Sequence, residues 1–159
     1  MGAVGLIASI VIGLAFVLAG ASKLALGPAW PEQARGFGAP AWAAPVVPWV
    51  ELAIGAALVT QLAEPVAAVA AIGILLLFTA LIVRHLLAGR APECACFGAW
   101  SAKPIGTGHL VRNTVLLTVA GCPLKDTITR DVNAAVRTVA GVSDVDLTLG
   151  VMSAEQRSG

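Results

Sequence analysis

The sequence predicts an all-α membrane protein: a four-helix transmembrane bundle with a short fourth helix, followed by a small helix-plus-strand tail. Three observations predict it. Of 159 residues, 58% are hydrophobic and only 12% charged, against about 45–50% and about 25% in ordinary globular chains. The mean hydropathy is +0.88. The apolar residues gather in runs of about 20, the length of helix that crosses a hydrocarbon core about 30 Å thick. Charge is distributed unevenly: residues 1–120 hold six Lys or Arg and four Glu, whereas the remaining 39 residues hold four Lys or Arg and five Asp or Glu. This divides the chain into a membrane domain over 1–120 and a polar tail over 121–159. The composition excludes a water-soluble monomer and a disordered chain. A formal charge of +1 also leaves no field for nucleic acid or another polyanion.

The first span is read over residues 3–26, interrupted only by Lys23. No basic region precedes it and its apolar run exceeds a signal-peptide core, so a span is expected rather than a cleaved leader. Trp30, Pro31 and Gly36-Phe37-Gly38 read as a loop, with the Trp suited to a membrane interface. The second span covers 41–62 and carries a single acid, Glu51. A short turn then leads to Pro65, a favoured first helical residue, and to a third span over 65–87. Residues 105–120 form the fourth span, about 24 Å of helix, which is short and includes His109, Arg112 and Asn113. Small residues such as Gly13, Ala15, Ala19, Gly20 and Gly55 to Ala57 suit close helix packing in lipid.

Charged groups at membrane depth cost about 2.5–3.5 kcal/mol on insertion scales, so each needs a partner or a purpose. Glu51 lies mid-span, and Lys23, Arg84 and Arg112 are its candidate cationic partners. Alternatively Glu51 is a neutral acid bonded to a backbone carbonyl. Lys23 and Arg84, near helix ends, are equally able to snorkel to the interface.

Between the third and fourth spans, Arg90 leads into Pro92-Glu93-Cys94-Ala95-Cys96-Phe97-Gly98, followed by Trp100, Lys103 and Pro104. Two thiols one residue apart would close a tight, strained and readily reduced disulfide. Arg90, Lys103 and Arg112 favour the reactive thiolate. Cys94 and Cys96 are therefore the candidate redox pair. Metal binding by Cys94, Cys96, Cys122, His85 and His109 matches no common zinc spacing, and no metal is expected. An inert structural pair is the remaining alternative.

Phe16-Val17-Leu18-Ala19-Gly20-Ala21-Ser22-Lys23-Leu24, Glu51-Leu52-Ala53-Ile54-Gly55, Cys94-Ala95-Cys96-Phe97-Gly98, Pro104-Ile105-Gly106 and Leu110-Val111-Arg112-Asn113 resemble, in that order, the MauE branch of the DoxX-like membrane proteins. The resemblance covers about residues 1–117. It implies a redox-associated four-helix protein of the cell (cytoplasmic) membrane. It also implies work with a thioredoxin-like partner in maturing a disulfide-containing exported protein, such as the methylamine dehydrogenase small subunit. Cys94 and Cys96 match that family's cysteine loop, and Lys23, Glu51 and Arg112 its intramembrane polar positions. A quinone is a candidate electron acceptor by analogy with other four-helix thiol-oxidising membrane proteins, although no residue marks a quinone site. A non-catalytic membrane subunit with structural cysteines is the alternative from a different class.

The cations at Lys23, Arg35, Arg84, Arg90, Lys103 and Arg112 all fall at the first and third connections. The positive-inside rule would put that side in the cytoplasm. Work on exported disulfides instead requires the cysteine loop to face outward, which is the orientation favoured here.

In the tail, Ile128, Val132, Ala135, Val136 and Val139 have helical spacing, and residues 142–151 alternate as a strand. Thr118-Val119-Ala120-Gly121-Cys122-Pro123-Leu124, Asp126-Thr127-Ile128, Arg130-Asp131-Val132, Gly141-Val142 and Val151-Met152-Ser153-Ala154-Glu155-Gln156-Arg157 resemble part of the small domain that begins Mrp-type iron–sulfur carrier ATPases. The rest of that domain and the nucleotide-binding domain are missing. One cysteine, Cys122, is not a cluster site, so the tail reads as an incomplete module whose join shortens the fourth span.

Overall fold

The computed structural model describes residues 3–90, 93–94, 103–139 and 145–147. Helix α1 covers Ala3–Ala25, α2 Ala29–Gly36, α3 Ala43–Thr60, α4 Glu64–Leu87 and α5 Thr107–Arg137. Two-residue strands β1 (Glu93–Cys94) and β2 (Lys103–Pro104) lie between α4 and α5 and pair antiparallel, Glu93 with Pro104 and Cys94 with Lys103. The four long helices pack in a ring, α1 on α3, α3 on α4, α4 on α5 and α5 on α1.

The core is narrow. Ile12, Phe16, Ile54, Leu58, Ala71, Leu75 and Ala120 meet at its centre, while Ile7, Leu18, Val66, Leu77 and many other large apolar residues face outward. A soluble protein does not carry so extensive an apolar exterior. Three helices, α1, α3 and α4, are long and apolar enough to cross a membrane.

Glycines set the spacing between α1 and α3. A Cβ on Gly13 would lie 2.9 Å from the carbonyl oxygen of Gly55, and one on Gly55 would lie 2.7 Å from that of Gly13. A Cβ on Gly20 would meet the Pro48 carbonyl at 2.7 Å. Only hydrogen at these positions lets the two backbones touch, which is the small-residue packing that replaces hydrophobic driving force in lipid.

The first three spans end within two residues of the expected bounds. The segment around Trp30 is a correction: it is helical, not a loop. Pro31 sits in the first turn, where its missing N–H costs nothing, and Trp30 and Ala34, four apart, turn one buried face toward Ala44. The connection between α3 and α4 is the expected tight turn, with Gln61 (φ 60°) and Ala63 (φ 51°) both left-handed. Gln61 uses its amide to donate to Ser9 Oγ at 3.0 Å and to the Leu58 carbonyl, which also accepts from Ser9 at 3.1 Å. The carbonyl of buried Leu58, in the last turn of α3, is thereby satisfied.

The fourth helix is not short. α5 runs unbroken through residues 120 and 121 and past Cys122 and Pro123 to Arg137. Asn113 donates to Thr79 at 3.3 Å and Thr127 to Glu64 at 3.0 Å, so α5 lies antiparallel along α4 as far as the first residue of α4. Residues 107–127 thus give about 31 Å of helix beside α4. Pro123 cannot donate to the carbonyl four residues earlier and its ring crowds that carbonyl, yet the helix continues through it. The expected separate tail helix is the continuation of α5. Of the expected strand over 142–151, residues 145–147 are described and are not in strand; the rest lies outside the described residues.

Candidate functional site

The ends of α1 and α4, the starts of α3 and α5, and the β1–β2 hairpin all lie at one end of the molecule. Here α1 and α3 bring together two residues 28 apart in sequence. Lys23 Nζ donates to both carboxylate oxygens of Glu51 at 2.7 Å. The two side chains are 1% and 5% exposed. Lys23 does not snorkel, although it stands in the last turn of α1. A helical side chain leans toward the helix N-terminus, and Gly20 brings α3 close enough for Glu51 to meet it. The ammonium also lies 5.2 Å from the centre of the Trp30 ring and 5.7 Å from that of Phe78, within cation–π range. Arg84, by contrast, is exposed near the end of α4.

Trp30 is held by a feature of α3 itself. Pro48 sits inside that helix and cannot donate to the carbonyl of Ala44. The indole Nε1 of Trp30 fills the vacancy, donating to Ala44 at 2.6 Å. Trp30 was expected only as an interfacial loop residue; the proline four residues after Ala44 is the sequence signal for this bond.

A cleft of about 50 Å³ opens beside the ion pair, lined by Phe16, Lys23, Glu51, Phe78, Arg112 and Asn113 among others. Arg112 is half-buried and Asn113 buried. Two cations and one carboxylate therefore face a space large enough for a water-sized polar occupant. The predicted polar residues Lys23, Glu51 and Arg112 are thus brought to one place. Its chemistry is that of a fixed cluster of charged and polar groups, in which the Lys23 ammonium is matched by the Glu51 carboxylate.

The cysteines stand differently. Cys94 is placed by its backbone in β1, opposite Lys103; its side chain and all of Cys96 lie outside the described residues. Cys122 is half-buried on α5, with its Sγ 3.7 Å from the Thr118 carbonyl. It lies about 22 Å of helix beyond Thr107, toward the opposite end. His85 Nε2 lies 3.2 Å from the Phe37 carbonyl, and His109 accepts from the Gly106 N–H at 3.2 Å. The two histidines therefore serve helix ends, and Cys122 does not join them. Glu64 was also missed: it is buried at the far end and accepts from Thr127.

The profile of the family described as methylamine utilisation protein MauE matches residues 1–125. The chain belongs to the MauE family. That makes it a multi-pass membrane protein related to methylamine utilisation, with α1, α3 and α4 in the bilayer. The MauE match reaches past residue 120 into α5, consistent with a helix that does not stop there. A separate similarity is to iron–sulfur cluster carrier proteins of Mycobacterium bovis and Mycobacterium tuberculosis, 47% identical over 55 residues. It covers 35% of this chain and 14% of those relatives, so the chain spans about one seventh of their length. No solved structure matches the chain.

Proposed function

We propose that this protein supports maturation of a disulfide-containing exported protein by thiol–disulfide exchange at Cys94 and Cys96, working with a thioredoxin-like partner. A client of the kind the methylamine dehydrogenase small subunit represents fits the MauE family's description. The single observation that carries the reading is the hairpin register. Cys94 opposite Lys103 sets the backbone of Cys94 at the end of the bundle that holds Lys23, Glu51 and Arg112. Cations nearby favour the thiolate, the attacking species. In each exchange a thiolate attacks a disulfide sulfur to form a mixed disulfide, and the second cysteine resolves it. Two electrons and two protons pass from the dithiol to the disulfide. The Lys23–Glu51 pair anchors α1 to α3 at that end. The cysteine loop faces outward from the cytoplasmic membrane, where disulfides persist, and a quinone is the candidate final acceptor.

Separate Cys94→Ser and Cys96→Ser variants test the reading. One of them is expected to trap a mixed disulfide with the partner, visible on non-reducing gels. Normal client maturation in both would leave the cysteines a structural role in a non-catalytic subunit. Membrane-impermeant maleimide is expected to label both cysteines in intact cells; labelling only after lysis would reverse the orientation.

A further inference from the structure

Two arginines at the end of the bundle that carries the hairpin serve neither the buried ion pair nor the thiol chemistry. Arg35 lies in the last turn of α2 and Arg84 in the last turn of α4, and both are exposed. One contact joins the two helix ends. His85 Nε2 meets the Phe37 carbonyl at 3.2 Å, and the two rings pack edge-on with their centres 5.5 Å apart. Arg84 is thus one residue, and Arg35 two residues, from a direct α2–α4 contact. Arg35 Nε donates to the Pro31 carbonyl at 3.3 Å, but among the described residues neither guanidinium forms an ion pair. Glu32, at the start of α2, pairs with neither of them.

An apolar groove leads to these cations from the lipid side. It encloses about 330 Å³ between α2, the start of α3 and the later turns of α4. Trp30, Phe37, Phe78 and Leu81 line it, as does Leu77, which is exposed on the outer side of α4. Leu77, Leu81 and Arg84 follow one another at four and three residues and so share one face of α4. The apolar stripe therefore ends in a cation about one helical turn beyond the groove. Trp42, 71% exposed, also lines the groove, and an exposed Trp at the end of a span sits at headgroup level. A groove that is apolar along its length and cationic at its interfacial end is complementary to an amphiphile with an anionic head.

We propose that this groove holds an acyl chain of an anionic phospholipid whose phosphate is bound by Arg35 and Arg84. The guanidinium is a planar fork of donors that matches phosphate geometry. A basic side chain near the membrane surface favours an anionic lipid by ~5-fold. The site is independent of any role of Cys94 and Cys96.

The test uses the full chain in phosphatidylcholine nanodiscs doped with phosphatidylglycerol carrying dibrominated acyl chains, whose bromines quench the groove tryptophans Trp30 and Trp42. Phosphatidylcholine with the same brominated chains exchanges one for one with the bulk lipid and sets the baseline. Phosphatidylglycerol is expected to reach a given quenching at a mole fraction lower by ~5-fold for each arginine. Arg35→Gln and Arg84→Gln should each weaken that preference by the same factor, and the double variant should abolish it, with phosphatidylcholine unchanged throughout. Equal quenching by the two lipids in the unaltered protein would overturn the proposal and leave the arginines as topological charges only. A preference that survives the double variant would also overturn it. Inorganic phosphate is expected to compete no better than chloride at equal ionic strength; selective displacement by phosphate would assign the arginines to a free anion instead. The lipid comparison decides the matter even where a variant fails to fold.

Discussion

Neutralising Glu51 is the most informative perturbation of this structure. Glu51→Gln keeps the shape of the side chain but leaves the Lys23 ammonium, 1% exposed, facing an amide. Both 2.7 Å charge-assisted bonds are lost or reduced to neutral ones. Removing one partner of a buried pair costs about 3–5 kcal/mol, because the remaining charge is uncompensated. Lys23→Met should cost a similar amount for the mirrored reason. Replacing both, as Lys23→Met with Glu51→Leu, removes the charges together and should cost far less than the sum, since a buried pair exchanged for apolar groups is often close to neutral. Unfolding in mixed micelles, followed by circular dichroism against denaturant fraction, measures the unaltered protein, Lys23→Met, Glu51→Leu and the double variant, the four corners of one cycle. A coupling energy below about 1 kcal/mol, with the double variant as unstable as the two singles added, would refute the claim that these side chains act as one buried unit.

Three further outcomes follow from the packing. Gly55→Ala places a methyl 2.7 Å from the Gly13 carbonyl and 2.8 Å from the Val17 N–H, backbone atoms that cannot rotate away; a loss of about 1–3 kcal/mol is expected in the same unfolding assay, and an unchanged midpoint would contradict the close approach. Trp30→Phe strips the Ala44 carbonyl of its donor and should cost about 1–3 kcal/mol. In a Pro48→Ala background the helix supplies its own N–H, and the effect of Trp30→Phe should shrink; equal losses in both backgrounds would show that the indole bond does not compensate the proline. Thr127→Val leaves Glu64 without its donor and should destabilise by about 1–3 kcal/mol, whereas Ser at the exposed Ile128 should change stability by less than about 0.5 kcal/mol; matching small effects would place residue 127 outside the packed bundle.

Hydropathy and run length by themselves determined that the chain crosses a membrane, because a helix in lipid must satisfy its own backbone and so needs one uninterrupted apolar run. That condition is local, and α1, α3 and α4 fall within two residues of their predicted bounds. The small residues Gly13, Gly20 and Gly55 were also legible as packing positions. Where local cues misled, a contact distant in sequence outweighed them. Pro123 and the charges from Lys125 onward read as the end of a span, yet Asn113 with Thr79 and Thr127 with Glu64 hold α5 against α4 and keep it helical. Trp30 and Pro31 read as a loop, yet the free carbonyl above Pro48 gives the indole a place and draws α2 onto α3. Three cations were candidates for Glu51 in the sequence, which records charge but not direction. The tertiary structure chose Lys23, because Gly20 lets α1 touch α3 and a buried ammonium is stable only where a carboxylate meets it.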